Sequence, residues 1–296
     1  MKLIIDCNYV CHRAFHSVKN LSHNQRQVGV IFGFIKQIFA LSEKFKSRDF
    51  IFCWDSRKSY RGLIYPDYKK NRQQLKETEE EQVDRNQAYD QFDELRTEIL
   101  PYMGFKNIFH QTGYEGDDLI AFVSMRIPDQ YTIVTADEDL LQLIVRDRFC
   151  PVDFYNFKAI TTYQNFTDTW YGLTPFDFAK IKAIAGCHSD NVAGIVGIGE
   201  TTAAKYLAGL RIGPAAMKKI ELEKDRFLKI NLPLVSLPFQ GRKPIKIDGI
   251  VDEDLCQEQF SALFGQYGFR SLLTEEAVKK WSKFFDKERT HDVKGR

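Results

Sequence analysis

The 296-residue chain has no run of about 18 consecutive apolar residues, so no membrane span is expected. The apolar stretch after Met1 is interrupted at Asp6, too early for a secretory signal. The six cysteines, at positions 7, 11, 53, 150, 187 and 256, form no C-x-x-C pair. Their scatter argues against a disulfide framework and for free thiols in a reducing, cytoplasmic setting. Cys7, Cys11, His12 and His16 lie close together, yet Cys7 ends a predicted buried strand and no second cluster completes a zinc-binding spacing. Internal repeats and low-complexity linkers are also missing. What remains, at 44% hydrophobic and 28% charged residues, is a soluble globular chain long enough for one large domain or two smaller ones.

Acids at the ends of predicted strands are the main positive signal. The stretch from Glu115 to Leu143 reads as helix, turn and strand, with Glu115, Asp117 and Asp118 at the head of the helix. Asp137 and Asp139 follow the apolar run Tyr131 to Val134. In an α/β sheet both places face the edge where sites are built. Carboxylates gathered there repel by roughly 4 kcal/mol per pair at 4 Å and an effective dielectric near 20, a cost that divalent cations relieve. Two more apolar runs end the same way, at Asp6 and Asp55. One such Asp is commonly only a turn residue or helix cap. Three, together with the Glu115 group, point to a hard-metal site.

Charge is also unevenly spread. From Arg57 to Lys76 there are seven Lys/Arg and one acid, Asp67, with Tyr60, Tyr65 and Tyr68 interleaved. Bases and aromatics in this mixture suit nucleic acid, by phosphate pairing and base stacking. A solvated helix face is the plainer meaning of such a run. Five acids follow between Glu77 and Asp84. Apolar spacing predicts helices over Val10–Val18, Val30–Phe45, Gln73–Tyr102, Asp177–Ala185, Met217–Leu228, Asp252–Gly265 and Thr274–Phe285. The first half of the Gln73–Tyr102 helix is so poor in apolar residues that it is expected to project or stay mobile. A strand is predicted over Lys106–Phe109, and a hairpin joining Arg148–Phe154 to Lys158–Thr162. Further on, Gly194, Gly197 and Gly199 precede Thr201, Thr202 and Lys205 at a helix start, leaving N–H groups free for a phosphate.

Together, IDxN near the start, WD at 54–55, YKKNR at 68–72, EGDD at 115–118, TADEDLLQL at 135–143 and SDNVAGIVGIG at 189–199 resemble the 5′-nuclease superfamily. That group holds flap endonucleases, phage 5′-exonucleases and the 5′-nuclease domain of bacterial DNA polymerase I. The resemblance implies an α/β fold: a PIN-like nuclease domain over 1–172, with a mostly parallel central sheet, flanking helices and a helical arch at about 66–103. A helical DNA-binding region over 173–296 would follow, of helix-three-turn-helix type, with a helix-hairpin-helix-like motif at 186–207. The implied activity is divalent-metal-dependent hydrolysis of DNA from 5′ ends or flaps, in removing RNA primers or flaps during replication.

By motif match, Asp6, Asp55, Glu115 and Asp117 would surround one Mg²⁺ or Mn²⁺. Asp118, Asp137, Asp139 and Asp190 would lie nearer a second. Lys69 and Arg72 would act on the scissile phosphate. Arg57, Lys58, Arg61, Tyr68 and Lys70, with Gly194, Gly197, Gly199, Thr201, Thr202 and Lys205, would hold DNA, with K⁺ at the glycine-rich loop. A monomer acting on DNA or an RNA–DNA hybrid, with replication proteins as partners, is expected. One departure stands out: Cys187 occupies a place where the family often carries Asp, and a thiol is a poor ligand for Mg²⁺. Two other readings stay open, a PIN-type ribonuclease and a non-catalytic structure-specific DNA-binding module.

Overall fold

A computed structural model describes residues 1–18, 21–73, 78–241 and 243–285, without the side chains of 72, 73, 79 and 80. Two compact units divide the chain, and neither is a contiguous half. The first comprises Met1–Trp54, Glu77–Phe109 and Asp248–Arg296; the second comprises Asp55–Lys76 and His110–Ile247.

In the first unit, strand β1 (Lys2–Asp6) leads directly into helix α1 (Cys7–Ser17). Helix α2 (Gly29–Phe45) and strand β2 (Phe50–Trp54) follow. β1 and β2 run parallel, with Leu3 opposite Phe50 and Ile5 opposite Phe52. Parallel strands covered on both faces need apolar residues at every position, which is why both read as unbroken apolar runs. Asp6 ends β1 and caps α1, its carboxylate accepting from the Tyr9 N–H at 3.0 Å. Gly33 lets α2 close on α1, since a Cβ there would meet that of Ala14 at 2.8 Å.

The long polar helix starts later than predicted. Helix α3 (Glu79–Glu94) is capped by Thr78 and continues as a π-helical turn, Leu95–Ile99, then Leu100–Tyr102. The predicted residues 74–77 lie outside the described part of the chain. From Ala88 onward α3 is held down: Gln91 accepts from the Val30 N–H at 3.0 Å, and Glu94 pairs with Arg26 and with the Tyr267 hydroxyl. Glu81, Gln82 and Asp84 stay exposed, as their polarity requires, and Val83 with them. Beside β2 lies strand β3 (Ile108–His110), reached through the Phe52 N–H to Asn107 carbonyl bond of 2.8 Å. Two C-terminal helices, Gln257–Gln266 and Glu275–Trp281, complete the unit. They carry Phe260, Phe264 and Trp281 into an aromatic cluster with Phe39, Phe105 and Phe284. The first of these helices begins at Gln257 rather than near Asp252.

The second unit contains helix α4 (Gly116–Arg126) and strands β4 (Tyr131–Val134), β5 (Val152–Tyr155) and β6 (Ile160–Thr161). β4 and β5 are parallel, and β6 turns back antiparallel to β5, so the predicted hairpin forms but with shorter strands. Helices α5 (Phe178–Ala185), α6 (Glu200–Leu207) and α7 (Pro214–Val235) follow. α7 extends beyond its predicted limits at both ends because α5 gives it a face to pack against. Asn231 fixes that packing, its amide donating to the carbonyls of Ala183 at 2.8 Å and Ala193 at 2.7 Å. Among the described residues no helix is long and apolar enough to cross a membrane.

Phe260 has no exposed surface and touches six aromatic neighbours. Phe260→Ala is therefore expected to cost about 3–5 kcal/mol of stability, read as a lower urea midpoint. An unchanged midpoint would remove this cluster from the core.

Candidate active site

Lys69 lies where two distant segments of the second unit meet. Its backbone takes the left-handed conformation, φ 55°, uncommon for a residue with a side chain. In that conformation its N–H reaches the Asp190 carbonyl at 2.9 Å. Two side-chain amides reinforce the seam: Asn191 donates to the Asp67 carbonyl at 2.7 Å, and Asn71 to the His188 carbonyl at 2.9 Å. The Lys69 ammonium then sits 2.7 Å from Glu115 and 3.7 Å from Asp190. The Tyr68 hydroxyl lies within hydrogen-bond distance of the same two carboxylates, at 3.0 and 2.9 Å. Burial works against the Lys69 charge, but Glu115 outweighs it, followed by Asp190, Asp117 and Asp55, and the pKa rises. Burial likewise opposes ionisation of Glu115, yet Lys69 and Arg61 hold its pKa below the ordinary value.

The remaining acids approach from strand and helix ends, as expected of an α/β edge. Asp55, just past β2, accepts from the Gly116 N–H at the start of α4, at 2.6 Å. Asp137 follows β4 and caps the short helical turn Glu138–Leu143, accepting from the Asp139 N–H at 3.0 Å. Asp137 keeps part of its surface open to solvent. Crowding strips its hydration, and the Asp139 charge adds to this, so that its pKa is pushed up to about 6. Ligand atoms of Asp139, Cys187 and Asp190 all lie within 4.8 Å of one another, close enough to share a cation. Asp6 belongs to the first unit, where it caps α1.

Two sequence expectations change. Arg61, expected to face DNA, is only 2% exposed. Its guanidinium bonds both oxygens of Asp118, at 2.7 and 2.8 Å, and its Nε donates to the Leu234 carbonyl at 2.8 Å. Asp118, expected to ligate metal, has no exposed surface and also accepts from the Glu115 and Phe239 N–H groups, each lone-pair direction being taken by a donor. A side chain enclosed in this way is a structural anchor. The other basic positions stay outside: Arg57, Lys58 and Lys70 are exposed, the last paired with Asp67 at 3.2 Å. The backbone of Arg72 lies in the turn Lys70–Gln73, and its side chain is outside the described residues.

One residue escaped the sequence reading altogether. Lys182, on α5, is buried and bridges Asp139 at 2.9 Å and Glu200 at 2.8 Å. Burial opposes its charge, but Asp139 and Glu200 raise its pKa. Nothing local singles it out, because its partners come from elsewhere in the chain. Glu200 opens α6, directly after the glycine-rich loop. Gly194 is required there, since a Cβ would stand 2.1 Å from the Ala185 carbonyl, and Gly197 takes φ 80°. Ile195 and Ile198 anchor the loop while Val196 points out, 82% exposed. Thr201 is exposed, Thr202 half-buried, and the Lys205 ammonium lies over the Tyr171 ring at 5.6 Å.

Two measurements test this geometry. Asp118→Asn leaves the Arg61 charge buried without its partner and is expected to cost about 3–5 kcal/mol of stability. A metal ligand at Asp118 would instead give normal stability with weakened cation binding. For Asp137, the folded pKa lies above the ordinary 3.8, so ionisation costs the metal-free fold stability as pH rises through about 6. A cation reverses that cost, so calorimetry should show Ca²⁺ affinity rising with pH through this range. Asp137→Asn should flatten the slope, and an unaltered slope removes Asp137 from the cation site.

The sequence of residues 1–171 matches the family described as 5'-3' exonuclease, N-terminal resolvase-like domain. A 5'-3' exonuclease of Bacillus subtilis (strain 168) is 32% identical over 216 residues, covering 69% of each chain. DNA polymerase I of Mycobacterium leprae (strain TN) is 29% identical over 218 residues, which is 70% of this chain but 22% of that polymerase. The chain thus spans between about a fifth and a third of the length of the polymerases it matches. Among solved structures, a T5 5'-exonuclease with bound divalent zinc has TM-score 0.66 and 18% identity, covering 96% of this chain and 97% of its own. A bacteriophage T5 flap endonuclease complexed with DNA and metal ions has TM-score 0.65 and 19% identity, with coverage of 95% and 99%. These likenesses establish the mostly parallel sheet with flanking helices as a shared fold. With the family match over more than half of its length, the chain belongs to the 5'-3' exonuclease family.

Proposed function

We propose that the protein is a divalent-metal-dependent 5′-nuclease that hydrolyses DNA phosphodiesters, by 5′-3′ exonucleolytic steps and at 5′ flaps. The observation that carries this reading is the Lys69 ammonium set between Glu115 and Asp190, amid the other acids of the second unit. Oxygen donors of this kind suit a hard cation. Asp55, Glu115, Asp117, Asp137, Asp139 and Asp190 are the proposed ligands for two Mg²⁺ or Mn²⁺, with Asp6 a candidate by its motif. Bound divalent ions supply positive charge for the attacking and leaving oxygens of an in-line displacement.

The chain's own groups do the rest. Lys69, with Arg72, stabilises charge on the phosphate as it reacts. Tyr68 positions Glu115 and Asp190 through its hydroxyl. The loop Gly194–Gly199, with Thr201, Thr202 and Lys205, grips the duplex backbone by backbone N–H groups and one cation, and loop carbonyls hold K⁺. Arg57, Lys58 and Lys70 meet DNA as exposed charges. Asp118 and Arg61 hold the scaffold beneath. The reading extends to a nuclease region at 1–172, a DNA-binding region at 173–296, and a cytoplasmic monomer. That monomer would remove RNA primers or flaps beside replication proteins.

Cleavage of 5′-labelled flap, nicked and blunt DNA by purified protein, with Mg²⁺ titrated, tests the proposal. Lys69→Ala is expected to lower the cleavage rate by about 10²–10³ with DNA binding retained. Full activity in that variant sinks the assignment, and faster cutting of single-stranded RNA than of flap DNA favours the ribonuclease.

A further inference from the structure

The side chain of Cys187 belongs to the acid cluster. Its residue pairs with Val192 in a two-residue ribbon, which fixes the backbone, and it packs against Ala183, Leu234 and Val235. From there its sulfur lies 3.4 Å from Asp139 Oδ2 and 3.1 Å from Ser189 Oγ. Lys182 takes the other oxygen of Asp139 at 2.9 Å, turning Oδ2 toward the sulfur. Asp190 completes the group, all three ligand atoms lying within 4.8 Å.

The sulfur–oxygen spacing is informative. A tetrahedral zinc ion with Zn–S of about 2.3 Å and Zn–O of about 2.0 Å sets its sulfur and oxygen donors about 3.5 Å apart. Cys187 and Asp139 already stand at 3.4 Å. Thiolate is a soft donor that favours zinc-like ions, whereas Mg²⁺ prefers oxygen and retains its waters. We propose that Cys187, Asp139 and Asp190 form a mixed sulfur–oxygen site that selects thiophilic divalent cations, of the zinc, cobalt and cadmium class, over Mg²⁺. The thiol proton now shared with Asp139 passes to water when the cation binds, and no redox change is involved. This deepens the nuclease reading, on which it rests for identifying the cleft as cation-binding.

Co²⁺ is the probe, added to the full chain. The native protein is expected to show thiolate-to-cobalt charge-transfer absorption, lost in Cys187→Ser and in Cys187→Asp while equilibrium dialysis still finds bound Co²⁺. Bound Co²⁺ without the band in the native chain overturns the proposal. So does a band that survives in Cys187→Ser, because another cysteine then supplies the sulfur. If the variants do not fold, X-ray absorption of the zinc-loaded native chain decides, by a sulfur scatterer at about 2.3 Å or its absence. Mg²⁺-dependent DNA cleavage is assayed on the same preparation. Cleavage without the band refutes only the sulfur ligand, and the band without cleavage refutes only the nuclease reading.

Discussion

Like-charge repulsion is the constraint around which the second unit is built. Asp55, Glu115, Asp117, Asp137, Asp139 and Asp190 all stand within electrostatic reach of one another or of Lys69. Each close pair costs roughly 4 kcal/mol at 4 Å and an effective dielectric near 20. Two ammonium groups offset that cost: half-buried Lys69 between Glu115 and Asp190, and buried Lys182 between Asp139 and Glu200. Neither lysine is free to wander, because each is fixed by backbone that packing determines. The result is a group of acids held in place yet still short of positive charge, a state that suits a cation.

Beside these acids lies a pair that the fold encloses. Arg61 and Asp118 are both buried and meet through two short, parallel bonds. A charge pair in such a place is costly to desolvate and tolerable only when every remaining lone pair and proton is used. Here the Leu234 carbonyl takes the Arg61 Nε proton, and the Glu115 and Phe239 N–H groups fill the remaining lone pairs of Asp118. The pair therefore ties the start of α4, which carries Glu115 and Asp117, to the end of α7 and to the basic segment that carries Lys69. Thus an enclosed acid, Asp118, positions its more accessible neighbours.

Much of this was legible in the order of residues. The runs ending at Asp6, Asp55 and Asp137 became strands, because covered parallel strands favour apolar residues along their length. Gly194 and Gly197 marked a loop that no other residue could build, through close approach and a positive φ. Boundaries were less legible where an element depends on its neighbour. α7 outgrew its predicted span because α5 covers it, and the polar helix starts only at the Thr78 cap.

The chain's chemistry, a set of carboxylates placed at strand and helix ends beside a basic segment, was determined by the sequence alone, because periodicity and caps are local properties. The division of labour among those residues was decided only by the tertiary structure. Asp117 and Asp118 are adjacent and chemically identical, yet one stays half-exposed within reach of Lys69 and the other is enclosed by Arg61. Lys182 and Cys187 acquire meaning only through Asp139, more than forty residues away in the chain. Burial and pairing are three-dimensional quantities, and they set which charge is available to a ligand and which is used up by the fold.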